Sequence, residues 1–288
     1  MKWLYYMIRS YLAFHVSLIL LLISFPGRAA EESYSPVESN VNFEAVFALP
    51  FRDSDHRINY GPDALQFGRL WLPDENSRGL LVFIHGGCWL NQYGIDHVQA
   101  VSTALAQEGY AVWALEYRRT GDSGGGWPGT FDDIVAGINQ VNNLSPYGVI
   151  AERLALLGHS AGGHLAVLAG ARSDLLEVEP DLVVGLAAIT DVVSYSRGQN
   201  SCQQVTPTFM GGSAEERTAA YYDANPVNHG VHSPTVLLQG DIDQIVPLSQ
   251  ATLPAADTRI SEGAGHFDWV HPGTPAFREL LQILTSEL

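Results

Sequence analysis

Ser160 stands between two glycines in Gly158-His159-Ser160-Ala161-Gly162; two aspartates and a histidine follow far downstream, in Gly240-Asp241-Ile242-Asp243 and Gly265-His266-Phe267. A serine hydroxyl is a weak nucleophile until a base takes its proton, and a carboxylate must hold that base in the right tautomer. The order is serine, acid, histidine. Brought together, these groups would attack a carbonyl carbon and form an acyl-enzyme. A Gly-x-Ser-x-Gly string alone is weak evidence in a chain with 28 glycines among 288 residues. The elements that position it must decide.

Leu154–Leu157 is an apolar run that enters Gly158, and a helical pattern leaves over 160–171. A strand, a tight turn and a helix are the context a nucleophilic serine needs. Leu80–Ile84, Ala111–Leu115, Leu182–Val184 leading to Leu186–Ile189, and Thr235–Leu238 are apolar at nearly every position, as in strands covered on both faces of a parallel sheet. Helical patterns fall at about 95–108, 131–143, 160–171 and 275–287, and about 66–72 reads as an edge strand, with antiparallel pairing open to it. The alternation predicts a single α/β domain over 31–288, a mostly parallel central sheet flanked by helices. The rhythm breaks over about 191–230, with little periodicity beyond a short helical piece from Ala214. Long irregular segments in compact domains are functional covers or disordered, and this one carries Tyr195, Phe209 and Met210. It reads as a small, partly ordered cap over a pocket; the alternative is a solvent loop.

Within this frame Ser160 is the expected nucleophile, His266 the base and Asp243 the acid. Asp243 lies further past its strand than Asp241, which suits a turn cap. His271 precedes Pro272 and lacks the small neighbours of His266. The oxyanion needs backbone donors: Ala161, after the nucleophile, and Gly87 and Cys88, after the strand Leu80–Ile84, with Gly86 behind them. Trp89, Trp127, Phe209 and Trp269 are candidates for the substrate pocket, and each fits a core position equally well. His159 and His164 are five apart, off one helical face, so they do not read as a metal pair. No metal or cofactor is implied.

The amino terminus differs. Lys2 and Arg9 precede an apolar stretch at about 11–25, and Pro26-Gly27-Arg28-Ala29-Ala30 follows. This reads as a signal peptide over 1–30 and predicts an exported protein, periplasmic or secreted; an uncleaved anchor is the alternative. The run is short for a membrane span, which needs about twenty residues. Removing 1–30 takes Lys2, Arg9 and Arg28 and leaves 12 basic against 31 acidic residues, a formal charge of −19. Such a surface repels phosphate backbones and argues against nucleic acid as a partner. The two cysteines, Cys88 and Cys202, fit either a disulfide or two buried thiols.

Together, His85-Gly86-Gly87-Cys88-Trp89, Gly158-His159-Ser160-Ala161-Gly162-Gly163, Asp243-x-x-Val-Pro and Gly265-His266-Phe267 resemble the α/β-hydrolase superfamily over about 65–285. The His-Gly-Gly-x-Trp form, with Glu116-Tyr117-Arg118-Arg119, is similar to hormone-sensitive-lipase-like esterases and to the kynurenine formamidase (arylformamidase) branch. Cys88 stands where the lipase-type His-Gly-Gly-Gly has its third glycine. The resemblance implies a serine hydrolase acting on a small-molecule ester, with a formamide as second substrate class. A hydrolase fold retained only for binding is the third reading, although no triad member is missing.

Overall fold

The computed structural model describes residues 33–149, 152–231 and 234–288; the expected export segment, 1–30, lies outside them. Eight strands form one sheet: β1 (His56–Asn59), β2 (Phe67–Trp71), β3 (Leu80–Ile84), β4 (Ala111–Leu115), β5 (Leu154–His159), β6 (Leu182–Leu186), β7 (Thr235–Gly240) and β8 (Asp257–Ser261). Their order across the sheet is β1-β2-β4-β3-β5-β6-β7-β8. β2 runs antiparallel to both β1 and β4. All other neighbours are parallel.

Every residue of β3 to β7 is buried, which is why these strands are apolar at nearly every position rather than alternating; the polar exceptions, His159, Thr235 and Gln239, lie at or next to strand ends. β8 is mostly exposed and carries Asp257 and Arg259, charges that suit a sheet edge. Short exposed edges such as β1 and β8 leave only a faint apolar signal.

The helices are α1 (Phe43–Phe47), α2 (Gln99–Gln107), α3 (Gly129–Asn139), α4 (Ala161–Ala171), α5 (Val192–Tyr195), α6 (Ser201–Met210), α7 (Thr218–Ala224) and α8 (Pro275–Glu287). The alternation of side chains along each strand splits the core in two. One face packs Val82, Ile84, Trp113, Leu156, Val183 and Leu237 against α3, α4 and the segment between β6 and β7. The other packs Leu81, Phe83, Val112, Leu157, Val184 and Leu238 against α2 and α8. Among the described residues no helix is long and apolar enough to cross a membrane.

The segment 191–230 is more regular than its sequence suggested. It folds into α5, α6 and α7, because α6 is closed at both ends. Asn200 and Gln203 form a reciprocal capping box at its start, and Gly211 takes the left-handed conformation at its end.

Candidate active site

The site begins at the end of β5. Ser160 has φ 57° and ψ −119°, a conformation a non-glycine residue adopts only when its surroundings impose it. Its N–H donates to the Leu186 carbonyl at 2.8 Å, and its own carbonyl starts α4 by accepting from His164 at 3.0 Å. A side chain at Gly162 would run into the carbonyl oxygens of Ile84 and His85, so only glycine lets α4 come this close to the end of β3. The turn therefore lifts the Ser160 hydroxyl to the sheet end, above the N-terminus of α4, where developing negative charge is favoured.

His266 is brought to the same turn. Its carbonyl accepts from His159 Nε2 at 2.9 Å, and the rings of His159 and His266 lie 4.7 Å apart between centroids. His266 Nδ1 donates to Asp243 Oδ2 at 2.7 Å. The second oxygen of Asp243 accepts from the N–H groups of Ile245 and Val246 at 2.7 and 2.9 Å. Gln239, at the end of β7, adds a donor to Oδ2 at 3.1 Å. Burial alone would raise the Asp243 carboxyl. The His266 bond and charge, with the two amides, outweigh it and hold the group below its usual range. Asp241 instead accepts from the Gly263 N–H at 2.7 Å, and His271 Nδ1 accepts from Gly273 N–H at 3.1 Å. Neither joins the His266 pair.

The loop carrying His266 is tied down by Asp268, a residue the sequence reading passed over. Fully buried, it accepts from the N–H groups of Asn40, Gly265 and Val41 at 2.7, 3.0 and 2.8 Å. A carboxylate two residues past a histidine has no motif signature; its role emerges only when the chain from Asn40 folds against it.

After β3 the chain turns sharply through Gly87, Cys88 and Trp89, with φ 114°, 52° and 58°. Among the described residues no backbone hydrogen bond leaves the N–H groups of Gly87, Cys88 or Ala161. These are the three predicted oxyanion donors, and they remain available to a ligand oxygen. The loop is held from beneath by a second carboxylate. Glu116 Oε1 accepts from His85 Nε2 at 3.0 Å and pairs with Arg119 at 3.1 Å, while Oε2 accepts from Ile95 N–H at 3.1 Å. Burial pushes Glu116 up, but His85, Arg119 and the Ile95 amide bring it down to about 2. Nδ1 of His85 faces the Gly86 carbonyl at 2.7 Å, and the ring stacks on Tyr117 at 4.4 Å. The His85-Gly86-Gly87 and Glu116-to-Arg119 strings were visible in the sequence; their pairing across the β3–β4 register was not.

The candidate pocket residues divide. Trp127 is half-buried and meets Phe209 edge-on at 6.4 Å. Trp89 and Phe209 are stacked at 4.7 Å and essentially closed to solvent, so they pack the base of the segment between β6 and β7 rather than offer an open wall. Trp269 is fully buried in the core formed with α2 and α8, on the opposite face of the sheet from Trp89 and Phe209. Its proposed place in the pocket is corrected to a core position: the short 3-10 turn after His266 folds the indole inward. His164 accepts from Trp89 Nε1 at 3.3 Å and donates to the Ala224 carbonyl at 2.7 Å. Burial lowers it to about 4, against the pull of that carbonyl. Among the described residues no cluster of three or more His, Cys, Asp or Glu side chains is placed to hold a metal ion.

The family model BD-FAE matches residues 70–256. Among named relatives, esterase LipC of Mycobacterium tuberculosis is 26% identical over 214 residues, covering 68% of this chain and 52% of its own length. Neutral cholesterol ester hydrolase 1 of Rattus norvegicus is 29% identical over 167 residues, covering 56% and 36% respectively. The chain spans about half the length of LipC, or less of such relatives. Among solved structures, esterase B of Lactobacillus rhamnosis superposes with a TM-score of 0.71 at 21% identity, over 85% of this chain and 89% of that one. The Pyrobaculum calidifontis esterase gives 0.65 at 20% identity, over 85% and 87%. These likenesses establish the α/β-hydrolase fold.

Proposed function

Since the chain belongs to the BD-FAE family and has the α/β-hydrolase fold, we propose that it is a serine hydrolase cleaving a carboxylic ester of a small molecule. The observation that carries this reading is the 2.7 Å bond from His266 Nδ1 to Asp243, with the imidazole packed against the strained turn of Ser160. Asp243 fixes the tautomer that leaves Nε2 unprotonated. Nε2 takes the proton as Ser160 Oγ bonds to the ester carbonyl carbon, and the carbonyl oxygen becomes an alkoxide facing the N–H groups of Gly87, Cys88 and Ala161. Collapse expels the alcohol, which leaves with the proton from His266. Water, deprotonated by the same nitrogen, then releases the acid and restores Ser160. The printed names of the relatives support esters over formamides.

The test is labelling by a fluorophosphonate, followed by hydrolysis of p-nitrophenyl esters of graded length beside N-formylkynurenine. The native protein is expected to label once, at Ser160, and to cleave short esters fastest. Ser160→Ala should neither label nor turn over. A native protein that fails to label would favour a binding module on a hydrolase fold. Formylkynurenine cleaved faster than any ester would move the assignment to the formamidase branch. Export remains a reading of residues 1–30 by sequence, and amino-terminal sequencing of the protein recovered outside the cytoplasm tests it: a mature start near residue 31 is expected.

A further inference from the structure

Cys88 supplies one of the three proposed oxyanion donors, and it does so from φ 52°. That conformation costs a residue with a β-carbon about 1–2 kcal/mol, which glycine would avoid. A cysteine there needs a reason, and its side chain provides one: Cys88 is disulfide-bonded to Cys202, with 5.2 Å between α-carbons and 114 residues between them in sequence.

Cys202 is the second residue of α6, and α6 grips the same loop twice. Cys202 and Phe209 are seven residues apart, two turns on one helical face. The first is bonded to Cys88; the second stacks on Trp89 at 4.7 Å with ring planes 8° apart. The Phe209 carbonyl also accepts from Trp127 N–H at 2.8 Å. At its start, α6 reaches the acid loop, because Asn200 Nδ2 donates to the Ile245 carbonyl at 2.8 Å, two residues from Asp243. One helix thus spans from the loop that would hold the oxyanion to the loop that holds the acid. A lid that opened would have to break a covalent bond.

We propose that the Cys88–Cys202 disulfide is a positioning element of the catalytic site: it locks α6 as a fixed buttress and holds the Cys88 N–H in its left-handed, oxyanion-facing conformation. The proposal rests on the serine-hydrolase reading above and goes beyond it. With the bond open, Cys88 is free to relax toward φ below zero, and its N–H swings away. A misplaced oxyanion donor costs about a hundredfold in kcat. Ground-state binding of the ester does not depend on that donor, so KM should move little.

The experiment is titration of the native full chain with tris(2-carboxyethyl)phosphine. The phosphine leaves as its oxide, with the oxygen of one water, and both sulfurs become thiols. Reduced protein is expected to lose ten- to a hundredfold in kcat on p-nitrophenyl acetate and in the rate of fluorophosphonate labelling. KM should change less than threefold, and the far-UV circular dichroism should stay native. After removal of the phosphine, oxidised glutathione should restore kcat as the two thiols re-form the bond and two molecules of reduced glutathione leave. Cys202→Ala should match the reduced enzyme and ignore the phosphine. Reduced protein that turns over and labels at the native rate overturns the proposal while leaving the ester reading intact. A reduced protein that unfolds overturns it too, since the bond would then hold the fold rather than the donor; Cys202→Ala is judged by the same two readouts. Oxidised protein that neither labels nor turns over sinks both readings together.

Discussion

Two buried carboxylates flank the serine turn, and each holds an imidazole. Asp243 accepts from His266 and two backbone amides; Glu116 accepts from His85, two backbone amides and Arg119. The devices are alike in chemistry and differ in what the second ring nitrogen does. In His85 it faces the Gly86 carbonyl, so both nitrogens are committed and the ring is a fastener. In His266 only Nδ1 is committed among the described residues, and Nε2 is left to exchange a proton. Burial follows the same division: the His85 side chain is fully enclosed and that of His266 is 6% exposed. A histidine beside a carboxylate is thus a poor sign of catalysis alone; the open nitrogen makes the distinction.

Neutralising the two acids should break the comparison most visibly. Asp243→Asn keeps the shape but offers the wrong partner to Nδ1–H, favouring a tautomer that cannot accept the serine proton. We expect kcat to fall by about 10⁴, with KM and the melting temperature little changed; steady-state kinetics beside a thermal melt checks it. A loss below tenfold would mean that Asp243 is a structural acid like Glu116. Glu116→Gln should do the reverse. It takes the carboxylate from His85 and one of the two carboxylates beside Arg119, which keeps Asp122 at 3.3 Å, so stability should drop by about 3 kcal/mol, read by denaturant unfolding. Its kcat should fall by about tenfold, since it acts only through the loop. A Glu116 variant as inactive as Asp243→Asn with an unchanged melt would erase the distinction drawn here.

This contrast also marks what the sequence could convey. The strained Ser160 turn and the Asp243–His266 pair were legible because chain order and strand–turn–helix context constrain where a proposed nucleophile, acid and base fall. The apolar runs of β3 to β7 were legible because burial on both faces removes nearly every polar position between the strand ends. Asp268, Gln239 and the Glu116–His85 pair were not, because their roles depend on which strands and loops become neighbours, and no local spacing encodes that. For Trp269 and Trp89 the sequence left pocket and core equally open for the same reason. An indole beside a catalytic loop can point either way, and only the folded turn decides. The three helices between β6 and β7 were under-read because their apolar face is short; the Asn200 and Gln203 cap was the available signal.

The acid limb of stability should sharpen the comparison further. His97 is pushed down to about 3 and His164 to about 4, chiefly by burial, and His159 is lowered by burial and then by the nearby His266. Their folded forms stay neutral, whereas the same residues in the unfolded chain take a proton near 6.5. The unfolded state therefore binds more protons once pH falls below 6.5. This stability is fully present above that value and is lost as pH falls toward 4 and 3. His97 and His164 should each remove about 2 kcal/mol between pH 7 and pH 5, and His159 acts in the same direction. Glu116 enters lower, losing its contribution only as pH falls from 4.5 toward about 2. Melts should stay level from pH 7.5 to about 6.5 and then decline down to pH 4.5, less steeply in His164→Gln. A flat profile would mean that these rings are solvated in solution.

The smallest effect belongs to the acid side. Tyr195 Oη donates to the Ile245 carbonyl at 3.1 Å, and Asn200 Nδ2 donates to the same oxygen at 2.8 Å. Tyr195→Phe removes one donor and keeps the ring, which is buried and lies 6.3 Å from Trp89. The carbonyl stays satisfied by Asn200, so no orphaned buried acceptor arises. The loss should be about 1 kcal/mol or less, with kcat within twofold of native. Removing Asn200 alone should cost more than Tyr195→Phe, because its side chain also accepts from Gln203 N–H at the start of α6. Chemical unfolding of the two single variants and the double variant gives the coupling between them. Strict additivity would mean that the two donors do not substitute for one another on the Ile245 carbonyl, and that the acid loop depends on each separately.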